Sequence, residues 1–134
     1  MTQNSENPLA LIIEDDPDAA TIFSQALQAA EFEVETATTG TQALERLKYT
    51  APAVVILDMH LPYVAGADIL DYINTEPRLM KTQVIIITGD HELANDPALQ
   101  QQGRVIQILV KPVIYSRLHD LAQLLKLSIK GGTP

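Results

Sequence analysis

The sequence predicts an α/β fold, a three-layer sandwich with a doubly wound, parallel five-stranded sheet. Three observations predict it. Short apolar runs and amphipathic stretches alternate five times along 134 residues. The apolar runs are β-branched and too short for buried helices, as strands covered on both faces are. Polar residues stand at the carboxyl ends of four of these runs, where open α/β sheets form their ligand crevices.

The elements follow in order. Leu9-Ala10-Leu11-Ile12-Ile13 is the first strand and ends in Glu14-Asp15-Asp16. Asp16 is a fitting cap for a helix opened by Pro17 and Asp18, with Ala19, Ile22, Phe23, Ala26, Leu27 and Ala30 on one face. Phe32 to Thr36 alternates, as a half-buried strand near a sheet edge does. The second helix spans Thr41 to Lys48, with Ala43, Leu44 and Leu47 inward. Ala53-Val54-Val55-Ile56-Leu57 is a strand that runs into Asp58. Gly66 precedes a third helix containing Ile69, Leu70 and Ile73, which Glu76-Pro77 stops. Val84-Ile85-Ile86-Ile87 ends in Thr88, and Ile106 to Val110 ends in Lys111-Pro112.

The fourth helix carries two readings. Asn95-Asp96-Pro97 starts it and Gly103 stops it, or it runs from His91 to Leu99 with Pro97 interior, which costs about 3 kcal/mol. The last helix is strong. Ile114, Leu118, Leu121 and Leu125 share a face, which Leu124, Leu127 and Ile129 widen beyond what one sheet surface requires. That excess is either core overflow or a homodimer or effector surface. Five βα units give a parallel sheet with helices on both faces. The flavodoxin-like strand order 2-1-3-4-5 is the economical choice, because it sets the first and third strands side by side at the switch point. Glu14 and Asp15 then lie beside Asp58.

Bulk properties bound the function. The length fits one domain over residues 1–134, with a core of about 9–129 and loose ends at 1–7 and 130–134. A hydrophobic content of 46% with 19% charged residues is that of a soluble globular protein. The formal charge of −8 argues against nucleic acid as a partner. Without cysteine there is no disulfide or thiolate metal site. No stretch has the length of a membrane span and the start lacks a signal peptide's pattern, so the cytoplasm is the expected location.

Acid pair, acid, hydroxyl and lysine thus gather at one end of the sheet. Two carboxylates about 5 Å apart repel by roughly 3 kcal/mol at an effective dielectric near 20. Glu14, Asp15 and Asp58 therefore call for a cation, and Mg²⁺, with Mn²⁺ as the alternative, suits an oxygen donor set completed by a phosphate oxygen. We expect ligation by Asp15, Asp58 and the main-chain carbonyl of His60, with Glu14 acting through water. Lys111 offers a second positive charge to a phosphoryl group and Thr88 a hydrogen bond. Gly89 leaves room for a main-chain N–H to approach.

These residues resemble the receiver domain of two-component response regulators. The resemblance runs from about Leu9 to Ile129. It rests on Leu-Ile-Ile-Glu14-Asp15-Asp16-Pro17, Gly40-Thr-Gln-Ala-Leu44, Leu57-Asp58-Met-His-Leu-Pro62-Tyr-Val-Ala-Gly66, Ile86-Ile-Thr88-Gly89 and Val110-Lys111-Pro112. It implies that Asp58 is the phosphoacceptor, Glu14 and Asp15 the acidic pair, Thr88 the switch hydroxyl and Lys111 the site lysine. It further implies a histidine kinase or histidine phosphotransfer protein as donor, a cis Lys111-Pro112 bond and a signalling role rather than that of an enzyme.

Some residues depart from the family pattern. Ile108 stands where the family usually carries a switch Tyr or Phe, and Val113 replaces the Phe that usually follows Lys-Pro. Pro97 weakens the fourth helix. The site stays whole, while the usual output surface of fourth helix, last strand and last helix is in doubt. A receiver-like interaction module that is never phosphorylated is the alternative reading. A phosphatase of the haloacid dehalogenase type using Asp16-Pro17-Asp18 lacks the later acidic pair and room for a cap domain. A flavodoxin needs a hydroxyl-rich phosphate loop where this chain has four acids. His60 faces the site mouth, either tuning acyl-phosphate hydrolysis or passive. Tyr63 is a candidate for the mouth or a partner surface, and His91 and His119 read as surface residues.

Overall fold

The computed structural model describes residues 7–131. Five strands, β1 (Leu9–Ile13), β2 (Glu33–Ala37), β3 (Val54–Asp58), β4 (Gln83–Thr88) and β5 (Val105–Val110), form one parallel sheet in the order β2-β1-β3-β4-β5. That is the expected order. The helices are α1 (Pro17–Ala29), α2 (Gly40–Tyr49), α3 (Gly66–Thr75), α4 (His91–Ala94), α5 (Pro97–Gln100) and α6 (Tyr115–Gly131), with a 3₁₀ turn at Pro77–Leu79.

Each face of the sheet carries its own apolar cluster. Ala10, Ile12, Val54, Ile56, Ile85 and Ile87 pack with α1 and α6. Leu11, Ile13, Val55, Leu57, Val84 and Ile86 pack with α2 and α3. Alternate residues of β1, β3 and β4 thus face opposite layers, and none of those twelve is more than 1% exposed. Burial on both faces is why these strands read as unbroken apolar runs rather than alternating ones. Each buried aliphatic side chain contributes roughly 2 kcal/mol against the conformational entropy lost on folding.

The helix ends follow local chemistry. Asp16 accepts a hydrogen bond from the Asp18 N–H and Pro17 takes the first position of α1. Thr39 caps α2 through the Gln42 N–H. The fourth helical segment is two one-turn helices, so each expectation holds in part. Asp90 caps α4, and Asp96 caps α5 with Pro97 at its first position, where the ring costs nothing. Pro97 is not interior, and α5 ends at Gln100, short of Gly103.

Other boundaries and faces differ slightly from expectation. Helix α6 reaches Gly131, past residue 129; the ends expected to be loose at 1–6 and 132–134 lie outside the described residues. On α1, Ala20 is buried and Ile22 is 39% exposed. Ile22 sits about 100° around the helix from Phe23, off the inward face. Leu124 and Leu127 on α6 are 65% and 66% exposed, so they are not core overflow.

Candidate functional site

Register carries the site residues to one rim. Ile13 pairs with Leu57, Asp58 with Ile87, and Thr88 with Val110. Glu14, Asp58, Thr88 and Lys111 therefore stand at or just past the carboxyl ends of β1, β3, β4 and β5. Glu14, Asp15 and Asp58 each bring a carboxylate oxygen to within 4.8 Å of the others. Glu14 is 1% and Asp58 3% exposed, and Asp15 faces solvent.

Lys111 joins the two buried acids. Its Nζ lies 3.1 Å from Glu14 Oε1 and 3.4 Å from Asp58 Oδ2. Asp58 Oδ1 accepts the His60 N–H at 3.0 Å, and Glu14 Oε2 accepts the Asp16 N–H at 3.2 Å. Glu14 Oε1, although close to the ammonium, accepts no hydrogen bond from the described residues. Burial pushes the Glu14 carboxyl up from 4.5 to about 7; the Asp16 N–H and Lys111 oppose the rise, and the Asp58 charge adds to it. Burial alone would lower Lys111, but Glu14 and Asp58 outweigh it and hold the ammonium above its usual range. The rim thus has more negative charge than one ammonium can balance.

Local packing fixes the backbone around Asp58. A Cβ on Gly66 would stand 2.6 Å from Met59 Cα and 2.9 Å from the Asp58 carbonyl oxygen, so only glycine fits. A Cβ on Gly40 would stand 2.5 Å from Val64 Cβ, which seats the β3–α3 loop against the start of α2. Gly89 differs from expectation. Nothing lies within 4 Å of a Cβ there and its φ is not positive, so close approach does not demand glycine at that position.

Thr88 is fully buried, and its Oγ1 accepts the Asp90 N–H at 3.0 Å. Asp90 Oδ1 in turn accepts the N–H groups of Glu92 and Leu93 and so caps α4. The hydroxyl is one link from a helix that is a single turn long. The Thr88 carbonyl accepts the Lys111 N–H at 2.8 Å, and the Lys111-Pro112 bond is cis. His60 is exposed at the rim. Tyr63 is 91% exposed with φ 73, at the centre of a turn in which the Pro62 carbonyl accepts the Val64 N–H at 2.9 Å. His91 is exposed, whereas His119 is half-buried and stacks on Tyr115 at 5.7 Å. Ile108 is half-buried and packs against the apolar cluster on the α2–α3 side of the sheet.

Sequence reasoning missed Lys126, 7% exposed on α6. Its Nζ donates to the Glu31 carbonyl at 2.9 Å, tying α6 to a turn where Glu31 has φ 70. A lysine next to apolar helix positions with a buried stem was the available signal. Among the described residues no helix is long and apolar enough to cross a membrane.

Known proteins show the same arrangement of sequence and fold. A family model described as the response regulator receiver domain matches residues 10–123. The transcriptional regulatory protein PrrA of Mycobacterium leprae is 26% identical over 119 residues, 88% of this chain and 49% of that protein. The autoinducer 2 sensor kinase/phosphatase LuxQ of Vibrio vulnificus is 30% identical over 110 residues, 82% of this chain and 13% of that protein. The chain thus spans about half, or less, of the length of these relatives. The response regulator TrrA of Thermotoga maritima, solved in complex with Mg²⁺-BeF, superposes with a TM-score of 0.74 at 21% identity over 88% of this chain and 98% of that one; that likeness shows the fold.

Proposed function

This chain belongs to the response regulator receiver family, and from that premise we propose that Asp58 accepts a phosphoryl group from a phosphohistidine, on a histidine kinase or a histidine phosphotransfer protein. The observation that supports this best is Asp58 itself: a carboxylate 3% exposed at a strand end, with a lysine ammonium 3.4 Å from one oxygen and a main-chain N–H on the other. A merely structural aspartate at a loop start would not need a second buried acid and a shared lysine beside it.

The residues present fit a divalent cation. Three carboxylates converge, and Glu14 Oε1 is buried without a hydrogen bond. Asp15, Asp58 and the His60 carbonyl would hold Mg²⁺, or Mn²⁺, with Glu14 reaching it through water. Bound there, the ion supplies positive charge for the phosphoryl oxygens and relieves repulsion among the acids.

The chain's own residues do the rest. An Asp58 carboxylate oxygen attacks phosphorus, the P–N bond breaks, and its electron pair leaves with the donor imidazole. The product is an acyl phosphate on Asp58, as carboxylate nucleophiles form elsewhere. Lys111 Nζ, already poised between Glu14 and Asp58, turns to the phosphoryl oxygens. The Thr88 hydroxyl, whose oxygen accepts the Asp90 N–H, keeps its own hydrogen to donate to the same group, and its movement toward the phosphoryl oxygens biases the β4–α4 segment. Water later cleaves the acyl phosphate and resets the site, and the exposed His60 side chain stands at that water's approach. We place this activity in one unit over residues 9–129, acting as a signalling domain in the cytoplasm.

Incubation with Mg²⁺ and acetyl phosphate tests the reading. Intact-mass measurement should show one phosphoryl group added to wild type and none to Asp58→Asn. An unmodified wild type, in Mg²⁺ it demonstrably binds, refutes phosphotransfer and leaves the interaction-module reading, which Ile108 at the switch position favours.

A further inference from the structure

The amino-terminal rim of the sheet, opposite Asp58, carries a cavity of about 600 Å³. That volume lies in the range of small-ligand sites. Four separate segments wall it: the start of β1, the loop before β3, the segment from the 3₁₀ turn into β4, and the last turns of α6. Its floor is fixed by bonds already made. The Ala53 N–H donates to the Leu9 carbonyl at 2.9 Å and the Gln83 N–H to the Ala53 carbonyl at 3.0 Å. Thr82, 2% exposed, donates its hydroxyl to the Pro52 carbonyl at 2.7 Å. With those groups spent, Leu9, Pro52 and Ile129 offer apolar contact.

The polar side chains left over can all donate hydrogen bonds. Arg78, Lys81, Gln83 and Ser128 line the cavity, and among the described residues no acid does. Glu33, paired in register with Leu9, and Glu76, two residues before Arg78, are the neighbouring acids, and neither reaches it. In a chain of 17 acidic and 9 basic residues, two cations without an acid set this place apart. Arg78 donates to the Thr50 carbonyl at 2.8 Å and to the Leu47 carbonyl, both at the end of α2. A cation at a helix carboxyl end is ordinary, but those two bonds use only part of a five-donor guanidinium and hold its plane still. Lys81 has no such duty: it is exposed and forms no ion pair with a described residue.

We propose that this cavity binds a small phosphate monoester with an apolar body. The phosphate meets Arg78 and Lys81, and the body lies on Leu9, Pro52 and Ile129. Two cations match a group that is a dianion at pH 8, since its second pKa is about 6; a carboxylate brings one charge. No bond is made or broken. Such binding is independent of the phosphorylation reading, because the cavity lies at the starts of the strands and Asp58 at the end of one.

Phenyl phosphate is the probe, titrated to about 20 mM into the ¹⁵N-labelled 134-residue chain at pH 8 with chelator present. Amide signals should shift saturably at residues 8–9, 51–53, 78, 81–83 and 128–129 and stay still around Asp58. Inorganic phosphate, which lacks the body, and benzoate, which lacks the second charge, should each bind at least about fivefold more weakly. Lys81→Gln should weaken phenyl phosphate at least about fivefold. Lys48→Gln, at an exposed lysine of α2 outside the cavity, should leave it unchanged. Absence of saturable shifts overturns the proposal. So do shifts confined to the Asp58 rim, equal affinity for inorganic phosphate or benzoate, indifference to Lys81→Gln, or a loss in Lys48→Gln as large as that in Lys81→Gln.

Discussion

Glu14 offers the sharpest test of the charge arrangement at the rim. Burial raises its carboxyl from 4.5 to about 7. A group bound more tightly to its proton in the folded state favours folding at low pH. That contribution is whole below about 4.5 and is lost as pH climbs to about 7, because the unfolded chain ionises first. At 1.36 kcal/mol per pH unit the loss approaches roughly 3 kcal/mol. Glu14→Gln keeps the shape and hydrogen-bonding oxygen of the neutral acid and removes the ionisation. Without Mg²⁺ and with chelator present, the variant should match wild type near pH 5. Above pH 7 it should be more stable by up to roughly 3 kcal/mol, read as a higher urea midpoint by circular dichroism at unchanged slope.

The same substitution should act in the opposite direction on the cation. Binding to wild type must draw a proton off Glu14 when pH is below about 7, so affinity should rise with pH through that region and calorimetric heats should depend on the buffer. Glu14→Gln should bind Mg²⁺ at least about tenfold more weakly, since it lacks a carboxylate in a low-dielectric site, and should show no such proton release. A Glu14→Gln protein less stable than wild type at pH 8 without metal refutes the reasoning. That result would mean the Lys111 ion pair is worth more than the burial of the charge.

Other substitutions follow from single contacts. Lys111→Gln removes the ammonium shared by Glu14 and Asp58; phosphorylation by acetyl phosphate should slow by about a hundredfold or more while Mg²⁺ affinity does not fall, as stopped-flow and calorimetry would show. Gly66→Ala forces a Cβ to within 2.9 Å of the Asp58 carbonyl and should cost more than about 2 kcal/mol, whereas Gly89→Ala, in open space, should stay within about 0.5 kcal/mol; urea midpoints decide both. Tyr63→Gly relieves a left-handed φ of 73 in a tyrosine with almost no contacts and should raise stability by about 1 kcal/mol. An unchanged midpoint would mean that the turn is not strained.

The sequence exposes some of this design and hides the rest for physical reasons. Glu14, Asp58, Thr88 and Lys111 are legible because each ends an apolar run, and a parallel sheet carries all such ends to one rim. Strand order is not legible in the pattern of runs: 2-1-3-4-5 is the economical choice among parallel orders, and it is the order observed. The fourth helix splits where two capping signals compete. Asp90 and Asp96 each accept helix-start N–H groups, and an N-cap preference does not say which of two short helices wins. Ile22 shows another limit. Apolarity suggested burial, but angular position on α1 favoured the smaller Ala20. Tyr63 was undecidable, because its left-handed turn comes from loop closure between Asp58 and Gly66 rather than from any preference of tyrosine.

Ile108 and Thr88 together decide how a change at Asp58 can travel. An aromatic ring near Thr88 could swing between two discrete positions, but Ile108, which packs against the apolar cluster on the α2–α3 side of the sheet, has no ring to swing. The Thr88 hydroxyl has one partner to give up, the Asp90 N–H, and Asp90 holds two of the N–H groups at the start of α4. Besides those, the four-residue helix is held by main-chain bonds to the Asp90, His91, Glu92 and Leu93 carbonyls and by the Asn95 and Gln100 side chains, and the Asp90 side chain is the link that reaches Thr88. Under the proposed function, α4 is therefore the element joined most directly to the Thr88 hydroxyl, through Asp90, and amide exchange of residues 91–94 with and without an acyl-phosphate mimic on Asp58 tests whether it responds.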